Sequence, residues 1–216
     1  MRSDGIINYA QILADDASAS GSNTEIPTRI IKEGDRIADI VKNLLFFSRQ
    51  GSGEKKPVSV RLVLEDSLAL FEAQFRKEGI HVSVDIPDDI PTIMVCRQQI
   101  QQVFMNILAN SRHALMGRSN ETNWKKRIEI KAWAPEPKGV KMVALSFFDN
   151  GTGIAPELLE RVFDPFFTTK ADGEGTGLGL SISYGIVRDH GGSLMIESEP
   201  GDNTRARVYL PASSAG

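Results

Sequence analysis

The run Gly173-Glu174-Gly175-Thr176-Gly177-Leu178-Gly179-Leu180 limits this chain more than any other feature. Four glycines alternate with other residues and then open onto an apolar helical pattern, Leu178–Asp189. Glycine at that density costs backbone entropy and makes a poor ordinary loop. It is useful where amides freed at a helix N-terminus must come close to an anion, phosphate above all. The run lacks the Gly-Lys-Ser/Thr ending of a Walker loop, and no strand immediately precedes it as a dinucleotide fingerprint requires.

Two earlier segments bear on the same chemistry. In Gln102–Ala114, Asn106 and Asn110 are four residues apart and share one helix face. Two neutral amide oxygens there suit a hard cation that already carries substrate phosphates. Taken alone, the pair reads more simply as two solvated asparagines. In Phe147-Phe148-Asp149-Asn150-Gly151-Thr152-Gly153-Ile154 an apolar strand ends in a carboxylate followed by spaced glycines. Asp-Asn-Gly is ordinary turn chemistry. The other reading aims Asp149 into a pocket, where Gly151 and Gly153 let backbone approach a ligand closely. Between these segments and the glycine run lies Arg161–Lys170, with Phe163, Phe166 and Phe167 in a stretch otherwise built as a loop. Phe163 is expected to pack at the loop base, and the rest to form a lid hinged by glycines.

The remaining sequence supplies the frame. The first 50 residues read as two helices around the loop Ser18–Asn23. The first is apolar at Ile6, Ile7, Ala10, Leu13, Ala14 and Ala17, the second at Ile30, Gly34, Ile37, Val41 and Leu44. Ile31, Ala38 and Leu45 widen the second stripe beyond what one partner helix covers, which predicts a homodimeric four-helix bundle. Gln50–Pro57 reads as a linker. Beyond it the pattern predicts helices at Leu62–Glu78 (closed by Gly79), Gln98–Met116, Pro156–Val162 and Leu178–Asp189. Strands are predicted at Ile80–Ile86, Arg127–Ala134, Val140–Phe148, Ser193–Ser198 and Arg205–Leu210, the last two joined by a Pro200-Gly201 turn. Helices on one face of a mixed sheet is the expected layout. With 25 Lys+Arg against 28 Asp+Glu, the chain has no electrostatic case for nucleic acid or an anionic membrane. Its single Cys96 excludes an internal disulfide and a cysteine zinc site. No apolar run approaches spanning length, so a soluble, cytoplasmic chain without direct membrane contact is expected, on its own or as part of a membrane-bound sensor.

These segments, in this order, resemble the asparagine, first glycine, phenylalanine and second glycine boxes of the ATP-binding domain of sensor histidine kinases. That domain belongs to the gyrase, heat-shock chaperone, histidine kinase and MutL ATPase superfamily. The resemblance covers roughly residues 57–211 and implies an α/β sandwich that binds ATP and Mg²⁺. It puts Asp149 on the adenine amino group, with Gly151, Gly153 and Ile154 shaping that pocket. It puts Asn110 on the metal and has Asn106 support the metal or its water. Gly175, Thr176, Gly177, Leu178, Gly179 and Leu180 would line the phosphates, and Phe166, Thr169 and Lys170 belong to the lid. Many relatives carry a basic residue three places after the metal asparagine. Here that place holds His113, with Arg112 beside it and Lys170 as a lid candidate for the same contact.

The N-terminal helices resemble the same family's dimerisation hairpin, with the phosphoacceptor histidine expected before residue 1. His81, His113 and His190 match no acceptor motif. The implied organisation is a partial hairpin over 1–50, a linker over 51–57, a catalytic domain over 58–212 and a tail over 213–216. The implied activity is transfer of the γ-phosphoryl of ATP to histidine, for relay to a response regulator. The regulator would dock on Ile6–Ile12 and the second helix, with dimerisation through residues 5–49. ATP-hydrolysing relatives carry a Glu four residues before the metal asparagine, whereas this chain has Asn106, a poor general base. A non-catalytic dimerisation and docking module is the other alternative.

Overall fold

The computed structural model describes residues 3–31, 33–34, 54–118, 124–170 and 175–213. The chain divides into two compact units, Met1–Ser52 with Asp164–Leu178, and Gly53–Phe163 with Gly179–Gly216.

In the first unit, α1 (Ser3–Ala19) ends in a left-handed Gly21 (φ 69°), and the N–H of Ser22 returns to the carbonyl of Ala17 at 2.8 Å. Asn23 Oδ1 accepts the N–H of Glu25 at 2.7 Å and starts α2, described over 25–31 and 33–34. Gly34 explains itself here. A Cβ on it would lie 2.6 Å from Ile7 Cγ1, so its bare backbone is where α2 meets α1. Ala10 is buried, while Tyr9, Ile12, Leu13, Ile26 and Ile30 stay exposed. The expected continuation of the stripe through Ile37, Ala38, Val41, Leu44 and Leu45 lies outside the described residues.

The second unit is a five-stranded mixed sheet under helices. Its elements are β1 (Lys56–Val58), α3 (Val60–Ala69), α4 (Glu72–Glu78), β2 (His81–Asp85), β3 (Ile93–Val95), α5 (Arg97–Gly117), β4 (Arg127–Trp133), β5 (Met142–Asp149), α6 (Pro156–Leu159), α7 (Gly179–Asp189), β6 (Ser193–Glu199) and β7 (Asn203–Pro211). The strand order is β2-β4-β5-β7-β6, with β2–β4 parallel and the other pairs antiparallel. The inner face carries buried Ile128, Ile130, Val143, Leu145, Phe147, Val208 and Leu210. Helix α5 lies on it through Ile100, Val103, Phe104, Ile107, Leu108, Ser111 and Leu115, one continuous stripe at helical spacing. The rings of Phe104 and Phe147 sit 5.3 Å apart at the centre. No helix among the described residues is long and apolar enough to cross a membrane.

Four local expectations change. The single helix over Leu62–Glu78 breaks into α3 and α4, because the N–H of Phe71 bonds three residues back to Leu68 (2.9 Å) and tightens the turn. The bend keeps Phe75 buried while Leu70 faces solvent. Gly79 closes α4 as expected, left-handed at φ 67°. Lys56 and Pro57, read as linker, belong to β1, which pairs with the unanticipated β3. Ile93 and Val95 are fully buried around a partly exposed Met94, but alternation over three residues is too short to detect. The helix expected over Pro156–Val162 stops at Leu159.

Candidate functional site

Each face of α5 does separate work. Ser111, on its buried face, hydrogen-bonds the carboxyl of Asp149, the last residue of β5. Asp149 is 3% exposed, and its Oδ1 also accepts the N–H of Gly151 at 3.1 Å. Burial raises this carboxyl from its ordinary 3.8 to about 6, and the two hydrogen bonds only partly offset that. With its pKa at about 6 this strand-end acid is mostly ionised at neutral pH, poised to accept a hydrogen bond from a ligand.

The glycines beside it also let the turn close onto the protein itself. A Cβ on Gly151 would lie 2.6 Å from Ala114 Cβ, so its bareness lets the turn close onto α5. Gly153 is left-handed (φ 65°), and a Cβ there would reach 2.0 Å from the carbonyl oxygen of Glu199. Thr152 N–H donates to Ala114 O (3.2 Å), and Gly201 N–H to Thr152 O (2.7 Å). Ile154 is held by its own N–H, which donates to Ser198 Oγ at 2.8 Å. Asn150, first read as turn chemistry, is an anchor. It accepts the N–H of Arg127 (2.9 Å) and donates to Lys125 O (2.8 Å). Arg118 Nη1 donates to the carbonyls of Asn150 and Asp202, each at 3.1 Å, and stacks on Trp124.

On another face of α5, Asn106, Asn110 and His113 follow one another at helical spacing. Asn106 is engaged by the protein itself: its Nδ2 donates to Gly179 O and to Ser183 Oγ, both at 3.0 Å. Ser183 Oγ returns to Gly179 O at 2.8 Å, so the first turn of α7 is fixed against α5. Leu180 is half-buried in that turn. Arg112 departs from expectation. It lies about 200° around the helix from Asn110, and its Nε donates to Glu78 Oε2 at 2.7 Å, with a second bond from Nη2 to Oε1. This fork holds Glu78 below the usual carboxylate range and keeps Arg112 for α4.

The far ends of the same helices are also joined. His190, just past α7, is buried and accepts the N–H of Cys96 on Nε2 at 3.0 Å. Its Nδ1 therefore carries the proton and donates to Ile186 O at 2.8 Å. Burial lowers its pKa from the ordinary value.

The loop between α6 and α7 falls in the first unit from Asp164 to Leu178. Phe166 is left-handed (φ 67°), the one such non-glycine among the described residues, and is 63% exposed. Gly177 shares that conformation (φ 67°), and a Cβ on it would lie 2.4 Å from the carbonyl carbon of Phe166. Gly175 lies against Lys170 and Thr168, and Lys170 N–H donates to Thr168 Oγ1 at 3.2 Å. Thr176 Oγ1 accepts the N–H of Leu178 at 3.4 Å. Thr169 is exposed. Phe163 packs as expected, its ring 5.0 Å from Tyr184. Gly173 and Glu174 lie outside the described residues.

Sequence reading missed Ser111, Ser183 and Arg118. For Ser111 a signal existed, a small polar residue inside the apolar stripe Ile107, Leu108, Leu115.

Residues 96–214 match the family described as histidine kinase-, DNA gyrase B-, and HSP90-like ATPase, over more than half the chain. The chain belongs to that family, and its ATP-binding domain is of the histidine kinase type. It is 40% identical to the two-component sensor PprA of Pseudomonas aeruginosa, over 82% of this chain and 18% of that protein. It is 32% identical to the signal transduction histidine-protein kinase AtoS of Escherichia coli, over 98% of this chain and 33% of AtoS. The chain thus spans a third or less of these two relatives. In fold it matches the histidine kinase ThkA, solved in complex with response regulator protein TrrA. There the TM-score is 0.67 at 24% identity, covering 98% of this chain and 60% of that one.

Proposed function

We propose that this chain is the ATP-using part of a two-component sensor histidine kinase. It transfers the γ-phosphoryl group to a histidine nitrogen on a helix outside this sequence, for relay to an aspartate of a response regulator. The observation that carries this reading is Asp149, a buried carboxyl held by Ser111 and the Gly151 N–H with its proton affinity near neutrality. Ionised, it accepts the adenine amino N–H. Gly151, Gly153 and Ile154 hold the turn that fixes it. Among the described residues no three His, Cys, Asp or Glu side chains form a metal cage. A neutral amide such as Asn110 fits a Mg²⁺ ion whose charge is balanced by the triphosphate. Bound there, Mg²⁺ supplies charge neutralisation to the phosphates. Asn106 assists by fixing Gly179 at the start of α7, where freed amides favour phosphate. The assignments of Thr169, Lys170, Gly175, Thr176, Gly177, Leu178 and Leu180 to the phosphates, of Phe166 to a lid and of His113 to a phosphate contact stand as part of this proposal.

Transfer is favoured over hydrolysis because Asn106 is an amide with its nitrogen committed to α7, and it activates no water. The exposed Tyr9, Ile12, Leu13, Ile26 and Ile30 support dimerisation through residues 5–49 and a regulator surface on the hairpin. ThkA's complex with TrrA is the precedent for that partner. The setting is the cytoplasm.

The test supplies γ-labelled ATP, Mg²⁺, this chain and a separately made helix bearing an acceptor histidine. Acid-labile, base-stable label on that helix, lost in Asp149→Asn, is the expected outcome. Free phosphate without label would turn the reading to an ATPase. Tight nucleotide binding with neither would turn it to a docking module. Light scattering that finds a monomer at all concentrations would refute the dimer.

A further inference from the structure

Away from the nucleotide residues, the helical layer stops short of the sheet's first strand. By register Val82 and Val84 of β2 lie beside the fully buried Ile128 and Ile130 of β4, so they point to the core face. Yet Val84 is 45% exposed and Val82 only half-buried. The bend between α3 and α4 walls them on one side only. It leaves an open groove of about 540 Å³, whose apolar lining includes Leu68, Phe75, Ile80, Val82 and Val84. A sheet face left bare in this way is the site another helix would cover.

The charge around the groove limits what that helix can be. Glu65 and Glu72 line it, and the one cation among its described lining residues, Arg76, is already held by Glu72 at 2.6 Å. Glu65 has no ion-pair partner among the described residues. The stretch from Val60 to Ile90 carries seven acidic side chains (Glu65, Asp66, Glu72, Glu78, Asp85, Asp88, Asp89) against three basic ones (Arg61, Arg76, Lys77). Asp66, Glu72, Glu78 and Asp88 are already in ion pairs with Arg97, Arg76, Arg112 and Arg61, which leaves Glu65, Asp85 and Asp89 as the acids without an ion-pair partner among the described residues.

The geometry points to a docking groove for a basic amphipathic helix from another protein. Leucine-like side chains at i, i+3 and i+7 would lie over Val82, Val84 and Phe75, and flanking Lys or Arg would meet Glu65. A strand added to the free edge of β2 would leave these inward-facing valines uncovered, so a helix is the better occupant. The proposal is independent of the ATP reading, since it uses none of those residues.

The test is a titration of the full chain with a fluorescent 14-residue helix of leucine and lysine in amphipathic spacing. Its glutamate-for-lysine counterpart is the control. Binding is followed by anisotropy and by amide shifts of the labelled protein. The lysine helix is expected to bind at least about tenfold tighter than the glutamate helix, with shifts centred on Leu68, Phe75, Val82 and Val84. Val84→Glu and Glu65→Lys, both at exposed positions, should each weaken it by about tenfold or more and leave the thermal midpoint unchanged. Equal affinity for both peptides, shifts centred elsewhere, or binding indifferent to both substitutions would overturn the proposal. So would no binding at all.

Discussion

Asp149→Asn should make the nucleotide-free protein more stable while removing its affinity for ATP. Lifting the carboxyl from 3.8 to about 6 corresponds to about 3 kcal/mol, at about 1.4 kcal/mol for each tenfold change in proton affinity. Below pH 3.8 the folded and unfolded chains both hold the proton, and folding loses nothing. As pH rises, the unfolded chain ionises first and stability falls until the folded carboxyl ionises near 6. At pH 7.5 the full penalty of about 3 kcal/mol is present. Asparagine keeps an oxygen for Ser111 and for the Gly151 N–H and carries no charge, but its amide nitrogen adds donors that need partners. A net gain of about 1–3 kcal/mol remains, which raises the thermal midpoint by about 3–10 °C for a unit of this size. Melts followed by circular dichroism at pH 7.5 and pH 4 measure it. The variant's advantage should be present at the higher pH and nearly gone at the lower one. Calorimetric titration at pH 7.5 should show ATP affinity down by about 100-fold, since a charge-assisted acceptor has become a donor facing the adenine amino group. A midpoint gap that is absent, or flat across pH, refutes the burial argument, and retained affinity refutes the adenine assignment.

Asn110→Ala should weaken ATP binding in Mg²⁺ about tenfold or more yet barely change it in EDTA, and paired titrations read the difference. Gly153→Ala forces a side chain into a left-handed residue against Glu199 O. Denaturant unfolding should show a loss of more than about 2 kcal/mol. His190, buried neutral with a lowered pKa, contributes stability that is complete above its ordinary 6.5 and is lost as pH falls below it. Between pH 7.5 and 5.5 the denaturant midpoint of the native protein should therefore fall relative to that of His190→Gln. Arg112→Ala should leave nucleotide affinity within about threefold. It should destabilise the fold by about 1–3 kcal/mol, because Glu78 loses its fork.

The parts of this structure visible in the sequence are those governed by local periodicity. The apolar stripe of α5, the alternation of β4, β6 and β7, the nearly continuous apolar run of β5, and the glycine ends of α1 and α4 all follow from spacing within a few residues. Hidden parts depend on residues far apart in sequence. Nothing near Asn106 announces that its nitrogen goes to Gly179 and Ser183, and nothing near Arg112 announces Glu78. The glycines of the Asp149 turn were legible as close approaches, but whether backbone or ligand fills the space depends on where α5 and β6 lie. Strands β1 and β3 are too short for a pattern. The break at Phe71 was hidden because an apolar residue there continues the helical stripe and also suits a bend.

The bond from Cys96 to His190 also has a consequence for biosynthesis. It spans 94 residues, so the amide that opens α5 has no acceptor until the chain has grown past the end of α7. At roughly 5–20 residues per second, that interval lasts from about 5 to about 20 seconds. During it, the helix bearing Asn106, Asn110 and Ser111 already exists as a polypeptide but lacks its closing contact. A nascent chain stalled between these two residues would hold α5 without that closing contact. One released after β7 would not.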